Sequence, residues 1–144
     1  MHGFWKTWMT VWCWAALAFG VVLAAAAVPA IDAPAAFYFE LVSGFRGEAA
    51  LATASTRFAA AVLGAVMIGW ALTMLTLLRA ADAGAPVWRG LTTAVVVWYA
   101  IDSPASVLAG YPLNALTNTA FLATFLAPVI ASGVLRPGRS AATA

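Results

Sequence analysis

WYAIDSPASVLAG, residues 98–110, sets Asp102, Ser103 and Pro104 inside an otherwise apolar run. An acid in such a run either ends a membrane segment or lies within one. The flanking chain decides between the two. Uncharged stretches cover residues 7–31, 58–78, 90–101 and 103–135. Crossing a bilayer as a helix takes about 20 residues, so a helix ending at Ile101 is too short. It must continue through Asp102 to about Ala109, and the acid falls inside the span. The remaining run is too long for one span and breaks at AGYP, residues 109–112, where Gly110 and Pro112 punctuate it.

Composition supports this reading. The chain has 144 residues, 65% of them hydrophobic and 8% charged, with a mean hydropathy of +0.95. A soluble domain carries about a quarter charged residues, too many to match here. The expected fold is all-α: an integral membrane four-helix up-and-down bundle in a single domain, residues 1–144. Its helices are placed at about 5–28, 54–79, 88–109 and 113–135. Lys6 and AVPA, residues 27–30, loosely resemble a cleaved leader. The 25 uncharged residues between Lys6 and Asp32 are long enough to span, so a retained helix is expected. Between the first two spans, PAAFYFELVSGF places Phe37, Leu41 and Phe45 at helical spacing. That pattern predicts a short interfacial helix in the first outer loop or an aromatic cap on the bundle.

Positive charge orients the spans. Lys6, Arg79, Arg89, Arg136 and Arg139 fall on one side, with Arg46, Arg57, Asp32, Glu40, Glu48 and Asp102 on the other. The expected placement is therefore the cell inner membrane, with both termini and the 80–87 loop cytoplasmic. A net charge of +2 gives no footprint for nucleic acid.

Candidate chemistry concentrates on the outer half. A charged group in mid-span costs about 2.5–3.5 kcal/mol on insertion scales unless it finds partners or water. The turn at Gly110 and Tyr111 brings Asp102 level with about Asn118–Ala120 on the next helix. Asp102 and Ser106 share one helix face, and Asn114 and Asn118 share another. Pro104 leaves the carbonyl of Ala100 without its helical donor. Arg57, near the outer end of the second span, is the expected counter-charge. Asp102, Arg57, Asn114, Asn118 and Ser106 thus form a predicted polar pocket, which either fixes helix packing or serves function.

Seven tryptophans form the second feature. Trp5, Trp8 and Trp88 are expected in the interfacial aromatic belt. Trp12, Trp70 and Trp98 lie deeper and are expected to pack the core or to wall an apolar ligand or partner cleft. Ala61, Ala65 and Gly69, and likewise Ala60 and Gly64, recur every four residues, a spacing that lets helices approach closely. An internal seam is the expected use.

Several chemistries are excluded. The only histidine is His2 and the only cysteine Cys13, so a His/Cys metal set is absent. The two are separated by about 16 Å along one helix, too far for a nucleophilic pair. There is no serine–histidine–aspartate set and no phosphate-binding loop.

STRFAAAVLGAVMIGWALTMLTLL, residues 55–78, heads a Gly/Ala-rich second span with Arg57, followed by Gly64 and Gly69. With four short spans, this resembles the DoxX-like group of small bacterial four-helix membrane proteins. The resemblance implies links to redox or quinone-associated membrane complexes and carries over no active site. The leading expectation is a non-enzymatic protein that binds a lipophilic ligand or a partner membrane protein, as in an accessory subunit. Membrane lipid, a lipophilic small molecule or quinone, a membrane complex and a homo-oligomer are the candidate partners. No cofactor is specified. The alternatives are a small transporter or proton-coupled channel using Asp102, and a membrane isomerase of a lipidic substrate with Asp102 as general base.

Overall fold

A computed structural model describes residues 1–47, 50–80 and 84–136. Glu48, Arg139 and residues 81–83 of the predicted cytoplasmic loop lie outside the described residues. The chain folds into helices α1 (Gly3–Ala24), α2 (Ala33–Ser43), α3 (Ala54–Arg79), α4 (Ala85–Leu108) and α5 (Pro112–Ala131), with a 3₁₀ turn at Ala25–Ala27. Helices α1, α3, α4 and α5 are each long and apolar enough to cross a membrane. The protein is an all-α, multi-pass membrane bundle.

Local chemistry sets the ends. Thr53 caps α3 by accepting from the Thr56 amide, while the Thr56 hydroxyl accepts from the Thr53 amide. Gly44, at φ 80°, closes α2 in the left-handed conformation that glycine adopts freely. The break at Gly110 and Pro112 falls where the sequence predicts it. The last helix is shorter than predicted: it stops at Ala131, and Gly133 turns left-handed at φ 68°.

The helices are arranged in the spatial order α3, α1, α5, α4. The tightest pairing is α1 with α3, through Ala16, Gly20, Ala60, Gly64 and Ala71, all buried. A methyl group on Gly20 would come within 2.9 Å of the Gly64 carbonyl oxygen. The predicted seam of small residues is therefore internal along Ala60 and Gly64. The parallel row differs, since Ala65 and Gly69 are exposed and nothing lies within 4 Å of a methyl built on Gly69.

No Cα of α3 comes within 8 Å of α4 or α5 among the described residues. Large side chains fill that distance. Met74, Leu75 and Leu78 of α3 join Met9, Trp12 and Cys13 of α1, Trp88 and Val95 of α4, and Phe125 and Val129 of α5 in one buried core. Trp88, expected in the interfacial belt, is 2% exposed and closes this core at the start of α4. The Arg89 side chain donates to the Leu135 carbonyl at 3.0 Å, which ties the start of α4 to the segment after α5.

The first and last spans meet through tryptophan. Pro128 cannot donate to the Thr124 carbonyl one turn earlier. The Trp8 indole N–H of α1 takes that place at 3.0 Å. Trp12 donates to the Thr124 hydroxyl at 3.2 Å and to the Phe121 carbonyl at 3.3 Å.

Candidate functional site: a polar network and an apolar groove

Helix α4 presents Asp102, Ser103 and Ser106 toward α5, with Asp102 about 9 Å inside the C-terminal end of α4. Asn118 of α5, 7% exposed, donates through Nδ2 to Asp102 Oδ2 at 2.9 Å and to Ser103 Oγ at 3.3 Å. The Ser106 hydroxyl donates back to the Asp102 carbonyl at 2.7 Å and lies 3.4 Å from Asp102 Oδ1. Asn114 Nδ2 donates to Ser106 Oγ at 2.8 Å. The predicted meeting of Asp102, Ser106, Asn114 and Asn118 is therefore present.

Arg57 is not part of it. Its guanidinium pairs with Asp32 and also donates to the Ala26 carbonyl at 3.1 Å. The reason is position around the bundle. Arg57 and Asp102 lie toward the same end of the bundle, but no Cα of α3 comes within 8 Å of α4 among the described residues. Asp102 relies on neutral donors instead.

Tyr38 of α2 completes the network, and sequence spacing gave no sign of it. Its hydroxyl donates to Asn114 Oδ1, and its ring meets Phe19 of α1 with centroids 4.6 Å apart. Burial holds the Tyr38 hydroxyl above the ordinary tyrosine value; the Thr117 side chain opposes this and the Asp102 charge adds to it. The chain Tyr38–Asn114–Ser106–Asp102–Asn118–Ser103 thus joins α2, α4 and α5. Among the described residues no buried side-chain nitrogen or oxygen lacks a hydrogen-bond partner. In lipid such satisfaction matters, because the alternative partner is hydrocarbon.

The three deep tryptophans gather around Phe121. Ring centroids of Trp12, Trp98 and Trp70 lie 4.2, 5.8 and 6.2 Å from it, and Trp12 and Trp70 meet edge to face at 5.4 Å. Such pairs are worth about 0.5–1.5 kcal/mol beyond the area they bury. Trp70 and Trp98 are half-buried in this cluster, and Trp12 is buried, 6% exposed. With Phe4, Thr7, Trp8, Val11 and Thr124 it lines a groove of about 400 Å³ along the α1–α5 seam. Phe4, Trp8 and Val11 are exposed, so the groove opens sideways on the membrane-facing surface. Its walls are almost wholly apolar, and the Thr7 and Thr124 hydroxyls are its polar points.

A second cleft, of about 410 Å³, lies beside the Arg57–Asp32 pair, with Ala36, Glu40 and Leu51 in its wall. Among the described residues no three His, Cys, Asp or Glu side chains come together as a metal site.

No family model, curated protein or solved structure matches the chain.

Proposed function

We propose that the protein binds a lipophilic molecule in the α1–α5 groove and performs no chemistry on it. The observation that carries this reading is the groove itself: about 400 Å³, walled by Phe4, Trp8, Val11 and Trp12, and open toward lipid. Ligand sites span about 300–1,000 Å³ and pair apolar walls with a few polar points. Acyl chains are as apolar as any such ligand, so burial alone gives little preference. Selectivity must come from shape and from the two indole faces. The predicted wall is thereby narrowed: Trp12 lines the groove, while Trp70 and Trp98 support it from behind through Phe121. The Asp102 network supports the same reading, because its donors and acceptors are spent on one another.

The setting is a bacterial inner membrane with both termini cytoplasmic, following the distribution of Lys6, Arg79, Arg89 and Arg136. A place beside a quinone-associated complex rests on the DoxX-like resemblance. Ion or proton handling by Asp102 is the second reading, favoured by a carboxyl whose partners here are all neutral.

The test uses the whole protein in nanodiscs doped with a phospholipid carrying a diazirine on one acyl chain. After photolysis, adducts should concentrate on residues 4–12 and on Thr124. Val11→Trp, which fills the groove, should lower them several-fold without lowering yield. Adducts spread evenly over exposed positions such as Val96 and Val97 would remove the binding reading.

A further inference from the structure

Helix α2 has a face that nothing covers among the described residues. Its two sides differ sharply. Ala35 and Val42 are buried and Tyr38 and Phe39 half-buried against the bundle. On the opposite side Phe37 is 60% exposed and Leu41 36%, and Phe45, just past the helix, is 58% exposed. At 100° per residue, Phe37 and Leu41 fall within about 40° of each other, and Glu40 sits on the neighbouring edge. Glu40 turns toward the outer cleft, which it lines with Arg57 and Asp32.

Phe45 is held there at a cost. Its φ is 57°, in the left-handed region, and it is the only non-glycine residue with positive φ among those described. This backbone keeps the Phe45 ring next to Phe37, with centroids 6.4 Å apart and planes inclined at 60°. An aromatic pair held by a strained backbone and turned outward needs an environment that accepts it.

The connections decide which environment that is. Helix α2 is tied at one end to the outer end of α1 and at the other to the outer end of α3. It is not perched above them. Tyr38 packs on Phe19, about 8 Å below the last residue of α1, and reaches Asn114 within the first turn of α5. The helix is therefore wedged beside α1 and α5 below the level of the span ends. The apolar surface continues on both flanks, through Val28 and Ile31 before α2 and through Leu113 at the start of α5, all exposed.

We infer that Phe37, Leu41 and Phe45 form a lipid-contacting face, immersed at the boundary between headgroups and acyl chains of the outer leaflet, and that the partner of α2 is the phospholipid itself. A face with three large apolar side chains and an acid confined to its edge matches that boundary. The same insertion presses Tyr38 onto Asn114 from behind. This inference is independent of the α1–α5 groove, which lies at the other end of α1.

The experiment places single cysteines at Phe37, Leu41 and Phe45 in turn, in a Cys13→Ser background, and labels each with an environment-sensitive fluorophore. The labelled proteins are reconstituted into phosphatidylcholine vesicles. Two quenchers are compared: phospholipid carrying a nitroxide near the top of its acyl chain, and aqueous iodide. Val97→Cys, on the exposed middle of α4, gives the deep reference, and the free dye–cysteine conjugate gives the aqueous one. Labels on α2 should be quenched by the shallow nitroxide at least as strongly as the Val97 label. Iodide should quench them several-fold less than the free conjugate. Iodide quenching equal to that of the conjugate would place the face in water and overturn the inference. Weak quenching by both agents would mean that protein covers it, as in a second copy of the chain, and would overturn it equally. Three separate positions keep the outcome readable if one variant fails to fold.

Discussion

Gly64→Ala tests the packing from which everything else in the bundle is hung. The added methyl would collide with the Gly20 carbonyl oxygen and the Ala24 amide nitrogen, and would lie 2.9 Å from the Ala24 Cα. Ordinary carbon–carbon contact is about 3.5–4.0 Å, so α1 and α3 must part by roughly 1 Å at this crossing. The colliding atoms are backbone, and no rotamer change relieves them. Overpacking costs about 1–3 kcal/mol, occasionally more. A gap of 0.5–1 Å elsewhere along the seam forfeits a quarter to a half of each contact's attraction. Against this, alanine regains about 0.5–1 kcal/mol over glycine within a helix. The expected net loss is about 2 kcal/mol, roughly thirtyfold in the folded-to-unfolded ratio. Unfolding in mixed micelles with rising dodecyl sulfate, followed by tryptophan fluorescence, measures it. Gly69→Ala, where the methyl meets nothing within 4 Å, is the matched control and should be neutral or mildly stabilising. Wild-type stability for Gly64→Ala, or an equal loss for Gly69→Ala, would refute the assigned seam.

Three further outcomes are expected. Asp102→Ala leaves the Asn118 amide, 7% exposed, with only its longer 3.3 Å bond to Ser103 Oγ and should cost about 1–3 kcal/mol in the same unfolding assay, with Asp102→Asn costing less. The Tyr38 hydroxyl titrates above its ordinary value of 10.0, so the unfolded chain loses that proton first as pH rises. Its contribution to stability is complete below that value and fades above it, and Tyr38→Phe should flatten the alkaline decline in unfolding free energy. With cysteines at Ala30 and Ala80, both exposed, in a Cys13→Ser background, an impermeant maleimide should label the two from opposite sides of the membrane. Labelling from one side would reverse the assigned path of the spans.

Hydropathy made the spans legible, and α3 begins and ends at the predicted residues, 54 and 79. Depth was legible as well. Counting back from the turn at Gly110 set Asp102 level with about Asn118–Ala120, and Asn118 is hydrogen-bonded to it. Direction around the bundle was not. Arg57 has the right depth for Asp102, yet nothing in a hydropathy pattern says that α3 neighbours α1 and not α4. The pairing of α1 with α3 depends on Gly20 meeting Gly64, a shape match between two distant segments. Tyr38 escaped for a related reason: it reaches Asn114 from a loop helix 76 residues away in sequence. Trp88 shows a third limit. Aromatics at the end of a span read as interfacial, but this one turns inward where the α3–α4 gap needs a large side chain.

Pro128 gives α5 a peculiar biogenesis. Helix α5 enters the bilayer carrying a Thr124 carbonyl that its own helix cannot satisfy, and the donor that serves it, the Trp8 indole, sits on α1. Insertion of α5 and its capture by α1 are thereby linked. A nascent chain halted after α4 would hold a finished α1–α3 hairpin but would leave the tryptophans of α1 facing lipid with no acceptor. Assembly of the four spans is thus completed by the meeting of α1 and α5, and quality control that senses unpaired polar groups within the membrane would find this junction the last of theirs to be sealed.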